Sequence, residues 1–279
     1  MVFVARTIRA SFRRPYIIMF WSIIALIYCF IDYYVYSIFS SFIQLGYSSG
    51  IDNIMHLLQM AYNLTTDSKT FISVLVFFLL FIFLLSIPSA LVLSGFLNAV
   101  NNAVYGKKRV KGELVQGVKK YFTRIWPVTL VALLAAILFI IFVFVASVPA
   151  MIILKAVFEG RSELIGAAAF VGALTAFVLF FCSIFLRIHL LFWYPAVMGK
   201  VKKPFSSVKR LAGEKFWPLT ARLLVFDVIY AFYIMLSMKI RSTFALFIVN
   251  WLFISLFFSF FAIYIFVLYK QISSEYDNI

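Results

Sequence analysis

The chain has 279 residues, of which 65% are hydrophobic and only 13% charged, with a formal net charge of +15 and a mean hydropathy of +1.06. A soluble domain is nearer half apolar and a quarter charged, so these values exclude a water-soluble globular enzyme and make lipid the solvent. The expected fold class is all-α, a polytopic integral membrane protein forming a single membrane domain over 1–279.

Six stretches supply the run of about 20 apolar residues that one bilayer-spanning helix needs: 16–36, 71–99, 126–149, 164–186, 219–238 and 244–269. A transmembrane barrel would show alternating segments of about 10 residues, and the unbroken apolar run 74–85 has no such alternation.

At the start of the chain, Val4, Ile8 and Phe12 recur at helical spacing between Arg6, Arg9, Arg13 and Arg14. That pattern predicts a basic interfacial helix lying on its apolar stripe and leading into the first span. The apolar run that follows is too long for a signal peptide and lacks a small-residue cleavage site, so the segment is read as retained. Asp32 lies toward the far end of the first span among Tyr28, Tyr33, Tyr34 and Tyr36. It reads either as a carboxylate at the edge of an aromatic belt or as an ion or proton site.

The connection 37–70 carries His56, the acceptor-like triplet Asn63-Leu64-Thr65, and Ile54, Leu57, Leu58 and Ala61 at the spacing of a short surface helix. The second span has Pro88 inside it with Ser86 and Ser89 alongside, which marks a bend, because proline removes a backbone bond that hydroxyls or neighbouring helices compensate. Asn98, Asn101 and Asn102 close this span. They serve either as interhelical glue or as the mouth of a polar path.

Two basic blocks follow one pattern. Ala103-Val104-Tyr105-Gly106-Lys107 runs through Lys119, Lys120 and Arg124 to Ile125-Trp126-Pro127, and Ala196-Val197-Met198-Gly199-Lys200 runs through Lys209, Arg210 and Lys215 to Phe216-Trp217-Pro218. Glycine and proline stand 21 residues apart in the first and 19 in the second, which is an internal repeat. The arginine arm is a weaker third copy, giving repeats 1–102, 103–195 and 196–279, each a hairpin behind a basic amphipathic helix. In the first block the stripe is Leu114, Val115, Val118, Tyr121, Phe122 and Ile125. In the second it is Phe205, Val208, Leu211 and Phe216, after Pro204 and the candidate caps Ser206 and Ser207. Lys119, Lys120, Arg124, Lys209, Arg210 and Lys215 are the candidate contacts for anionic lipid or a protein partner, a second copy of the chain included, although lysines here also serve simply to fix topology. Nucleic acid is not expected, because these charges flank spans rather than decorating a soluble module.

Orientation follows from charge. The arm, the two blocks with Arg187, and Lys270 hold 4, 7, 7 and 1 basic residues, whereas the opposite connections hold only Lys69, Lys155, Arg161, Lys239 and Arg241. Both termini and both basic loops are therefore expected in the cytoplasm of a cell-membrane protein.

The fourth span opens on Gly166, Gly172 and alanines, a face suited to close helix packing, and ends on Arg187, whose default is to snorkel to the headgroups. In the fifth span Arg222 and Asp227 are five residues apart and about 140° apart around the helix, so they are a poor intrahelical pair. Asp227 is the first candidate for a functional intramembrane residue, with a buried hydrogen-bonded carboxylate as the alternative. Asn250 in the sixth span is the next.

No catalytic pattern stands out. His56 and His189 fall on opposite faces, there is no His-Glu-x-x-His zinc helix, Gly-x-Ser-x-Gly elbow or glycine-rich phosphate loop, and Cys29 and Cys182 lie in apolar spans. The chain is read as non-enzymatic and without cofactor or metal. The rival reading is a transporter or channel for a small solute, an ion or a lipid, with Asp227, Asn250, Asp32 and the asparagines near Asn101 in its path.

Arg187, the approach Tyr194-Pro195-Ala196-Val197 and the closing Phe216-Trp217-Pro218 resemble the six-helix membrane domain attached to some glycerophosphodiester phosphodiesterases, and its stand-alone prokaryotic relatives. The motif lies within 187–220. The catalytic phosphodiesterase domain has no counterpart here, so the resemblance implies a polytopic membrane protein and not a hydrolase.

Overall fold

Apolar backbone in lipid must satisfy every N–H and C=O internally, and a chain without alternation does so as helices. The computed structural model describes residues 2–46, 68–199, 203–240 and 242–276, which are 92% helical with no strand among them. The surface helix expected near Ile54, His56, the Asn63 triplet, Lys200, Lys202 and Arg241 lie outside the described residues. The helices are α1 (Val2–Arg13), α2 (Pro15–Gly46), α3 (Ser68–Val104), α4 (Glu113–Phe158), a 3-10 turn (Ser162–Leu164), α5 (Ile165–Met198), α6 (Pro204–Glu214), α7 (Phe216–Ser237) and α8 (Thr243–Tyr276). Six of these helices are long and apolar enough to cross a membrane, which makes the chain an all-α polytopic membrane protein.

Chain packing divides the molecule into two units. One comprises Met1–Ser40, Pro88–Val128 and Ile188–Ile279 and holds the main core, with Ile17, Phe96, Val100, Ile125, Val128 and Ile263 among its buried side chains. Phe20 of α2 stacks on Phe96 of α3 at 4.5 Å, and the Trp251 indole of α8 donates to the Ser22 carbonyl of α2 at 2.9 Å. The other unit, Ser41–Ile87 and Thr129–Arg187, presents most of its large apolar side chains outward, Phe77, Ile140 and Phe177 among them. Outward leucines and phenylalanines suit a lipid solvent, in which apolar surface gains little by being buried in protein.

The structure corrects some local expectations and adds detail to others. Helix α1 forms as predicted, but it packs along α8 through Thr7 and Ala10, while Ile8 is exposed and Phe12 is 81% exposed. In α4 the buried edge is Glu113, Gly117, Tyr121 and Ile125, with Leu114 and Val115 facing out. That basic segment is also not a separate helix: α4 continues for 46 residues through Pro127, about 69 Å at 1.5 Å per residue, far longer than a bilayer core of about 30 Å. The second block does break, at Lys215 (φ −118°, ψ 23°), into α6 and α7. Pro204 takes the first position of α6 as its fixed φ favours, but Ser206 and Ser207 are not caps. The Ser207 hydroxyl donates to the Pro204 carbonyl at 2.9 Å. Pro88 lies inside the uninterrupted α3, with the Ser86 hydroxyl donating to the Phe83 carbonyl at 2.7 Å.

The glycine face of the fourth span is not packed closely: a Cβ added to Gly166 or Gly172 would meet nothing within 4 Å. Close approach occurs instead between α3 and α4, where a Cβ on Gly117 would stand 2.6 Å from Asn98 Cβ and 3.0 Å from Gly95 Cα. Small residues permit such an approach without compelling it. Here, polar groups hold the two helices together.

Candidate functional site

The most heavily tied group of side chains lies at the basic end, around Arg14 and Glu113. Proline disfavours helical geometry in the residue before it, and Arg14 stands at the break between α1 and α2, immediately before Pro15. The break turns the Arg14 side chain inward, where it is 1% exposed. Glu113 begins α4, where a carboxylate is favoured by the helix dipole, and is 5% exposed. Gly106 (φ 68°) and Gly112 (φ 75°) supply the left-handed backbone that returns the chain from α3 to α4.

Arg14 Nε donates to Glu113 Oε2 at 2.9 Å and to the Tyr16 hydroxyl at 2.9 Å, and Arg14 Nη2 donates to the Lys107 carbonyl at 3.3 Å. The Tyr16 hydroxyl in turn donates to Glu113 Oε2. Asn102 Nδ2 donates to Glu113 Oε1 at 2.6 Å, and Asn98 Nδ2 donates to the Glu113 main-chain carbonyl at 2.9 Å. Asn98 and Asn102 are one helical turn apart, so α3 presents both to the start of α4. The Arg109 guanidinium lies 5.3 Å from the centre of the Tyr16 ring, a cation–π contact. Both Glu113 carboxylate oxygens are therefore engaged, and the ion pair has the additional hydrogen bonds a buried charge requires. The arrangement is a lock that ties α1, α2, α3 and α4 together through one buried carboxylate.

Sequence reasoning named Asn98, Asn101 and Asn102 but passed over Glu113 and treated Arg14 only as surface charge. The available signal was a lone carboxylate within a block of seven cations and an arginine directly before proline. Asn98 and Asn102 bind Glu113 and so join α3 to α4, and Asn101 is buried on the same helix.

Two of the remaining candidates share one neighbourhood, since Asp32 lies within electrostatic reach of Tyr233, the partner of Asn250. Asp32 is exposed on α2. Asn250 on α8 accepts a hydrogen bond from the Tyr233 hydroxyl of α7, tying that hairpin. Polar pairs between membrane helices average about 0.6 kcal/mol and reach about 1.7, so Tyr233→Phe should lower stability by an amount in that range in denaturant titrations of detergent-solubilised protein. A loss well beyond it would give the pair a larger role. Asp227 and Arg222 are half-buried on α7, and Arg187 is half-buried on α5. Arg222 borders an apolar groove of about 660 Å³ whose walls include Ile8, Phe12, Val225 and Phe257. Neither this groove nor a smaller polar cavity at the basic end is lined by Asp227, Asn250 or Asp32. Lys119, Lys120, Arg124, Lys209 and Arg210 are exposed on α4 and α6, and Lys215 is half-buried at the α6–α7 joint.

Among the described residues no group of three or more His, Cys, Asp or Glu side chains could hold a metal ion. No family model, curated protein or solved structure matches the chain.

Proposed function

We propose that this chain is a non-catalytic bundle of the cell membrane, with its termini and both basic loops in the cytoplasm, and that its basic face engages anionic lipid. One observation carries the reading. The exposed sides of α4 and α6 hold Lys119, Lys120, Arg124, Lys209 and Arg210, while their other sides are fixed by packed apolar residues such as Tyr121, Ile125, Val208 and Leu211. A rigid basic surface at the end of a spanning bundle meets the headgroup layer. Each Lys or Arg near an anionic surface contributes about 1 kcal/mol. We further read the chain as a stand-alone relative of the phosphodiesterase-associated membrane domain, on the segment from Arg187 to Pro218.

The test is lipid selection. Native mass spectrometry of the purified protein in mixed dioleoylphosphatidylglycerol and dioleoylphosphatidylcholine should show the former enriched, and Lys119→Gln/Lys120→Gln/Lys209→Gln/Arg210→Gln should reduce that enrichment. Equal retention of the two lipids by the unaltered protein would contradict the reading. If Asp227→Asn changes proton or ion flux in proteoliposomes while leaving the fold intact, the transporter reading replaces it.

A further inference from the structure

A second polar feature at the basic end has a different character from the lock. Three helices line an open cavity of about 360 Å³: Arg6, Arg9, Ala10 and Arg13 of α1, Ala103 and Val104 at the end of α3, and Val267, Lys270 and Gln271 of α8. Four of these nine residues are cations, and among the described residues no carboxylate joins the lining. The arrangement is fixed by packing rather than by charge. Ala10 and Val267 are buried in its wall, and Lys270 Nζ is held 3.4 Å from the Val104 carbonyl and 4.2 Å from the centre of the Tyr105 ring. Arg9 lies three residues from Arg6 and four from Arg13, so like charges face each other along one side of α1, a spacing that destabilises a helix unless an anion intervenes.

We propose that this cavity binds the phosphate of one anionic phospholipid. The proposal rests on the lipid-engaging reading above and names a site for it. Guanidinium groups match phosphate oxygens in paired hydrogen bonds and an ammonium supplies a point charge, so three arginines and a lysine suit a phosphate better than a carboxylate. The position selects a lipid over a soluble phosphate. The apolar spans begin at Pro15 and end at Ser273, within a turn of Arg13 and Lys270, which places the cavity at headgroup level. The other flank of α1 turns exposed Ile8 and Phe12 onto the apolar groove beside Val225 and Phe257, so α1 lies where headgroups meet acyl chains.

The experiment uses full-length protein titrated with dioleoylphosphatidylglycerol and dioleoylphosphatidylcholine in detergent, reading the first bound lipid by native mass spectrometry. Arg6 and Arg9 are exposed, so Arg6→Gln/Arg9→Gln should fold, as should Lys270→Gln, with gel filtration and thermal melting as the check. The expected result is that Arg6→Gln/Arg9→Gln weakens the first phosphatidylglycerol by about tenfold or more. Lys108→Gln/Lys111→Gln, which removes the same charge from the exposed loop before α4, should leave that first lipid nearly unchanged. Equal weakening by the two pairs would overturn the site while leaving a diffusely basic lipid-binding face in place. No preference for phosphatidylglycerol in the unaltered protein would overturn the underlying reading as well. Displacement of the lipid by millimolar inorganic phosphate would assign the cavity to a soluble anion and overturn the lipid assignment. If Arg6→Gln/Arg9→Gln failed to fold, Lys270→Gln decides the matter by the same comparison.

Discussion

Replacing Glu113 with alanine should destabilise the protein by about 3–5 kcal/mol, the cost of leaving a buried charge without its partner. Arg14 would keep the Tyr16 hydroxyl and the Lys107 carbonyl but lose its counter-charge, and Asn102 would lose its 2.6 Å acceptor. The pair is not needed because ion pairs stabilise in general. Two buried charges replaced together by apolar groups of similar volume are often neutral or better. Arg14→Met/Glu113→Leu should therefore recover much of what Glu113→Leu alone loses, giving, with Arg14→Met as the other single variant, a coupling energy well above the range of independent sites. Denaturant titration of the solubilised single and double variants measures it. Additive losses would mean that the lock is not a lock.

Gly117→Ala has a second large effect, and its sign is decided by magnitude. Alanine is favoured over glycine in a helix by about 0.5–1 kcal/mol. Against this, its Cβ would stand 2.6 Å from Asn98 Cβ and 2.8 Å from the Ser94 carbonyl oxygen, neither of them the end of a flexible side chain. Helices α3 and α4 must then separate, and separation pulls Asn98 Nδ2 away from the Glu113 carbonyl, 2.9 Å distant. Overpacking of this kind costs about 1–3 kcal/mol, so a net loss is expected. Gly213 on α6 has nothing within 4 Å of a built Cβ, and Gly213→Ala should raise the melting temperature. A stabilising Gly117→Ala would show that the two helices do not cross as closely as the geometry requires.

The spans and the basic segments were legible in the sequence because hydropathy and charge act one residue at a time. The faces of the helices were not. Ile8 with Phe12, and Leu114 with Val115, formed apolar stripes that in water would mark the buried side. In lipid such a stripe need not seek protein along its whole length: the packed edges carry Thr7, Ala10 and Arg14 in one case, and Glu113 and Gly117 together with Tyr121 and Ile125 of the stripe in the other. The lock was hidden for a related reason. Arg14 and Glu113 are 99 residues apart, each within a run of positive charge that topology alone explains, and only the tertiary fold pairs them. Asn98 and Asn102 were visible as polar residues closing a span, yet their partner was the one carboxylate in the loop that followed.

The same charge pattern makes the decisive claim about which side of the membrane the basic end occupies. In a background with Cys29→Ser and Cys182→Ser, Lys111→Cys lies in the exposed loop before α4 and Glu163→Cys in the exposed turn before α5. Membrane-impermeant maleimide applied to intact cells should label Glu163→Cys at once and Lys111→Cys only after permeabilisation. Labelling of Lys111→Cys in intact cells, with Glu163→Cys protected, would place the basic face outside and contradict the account.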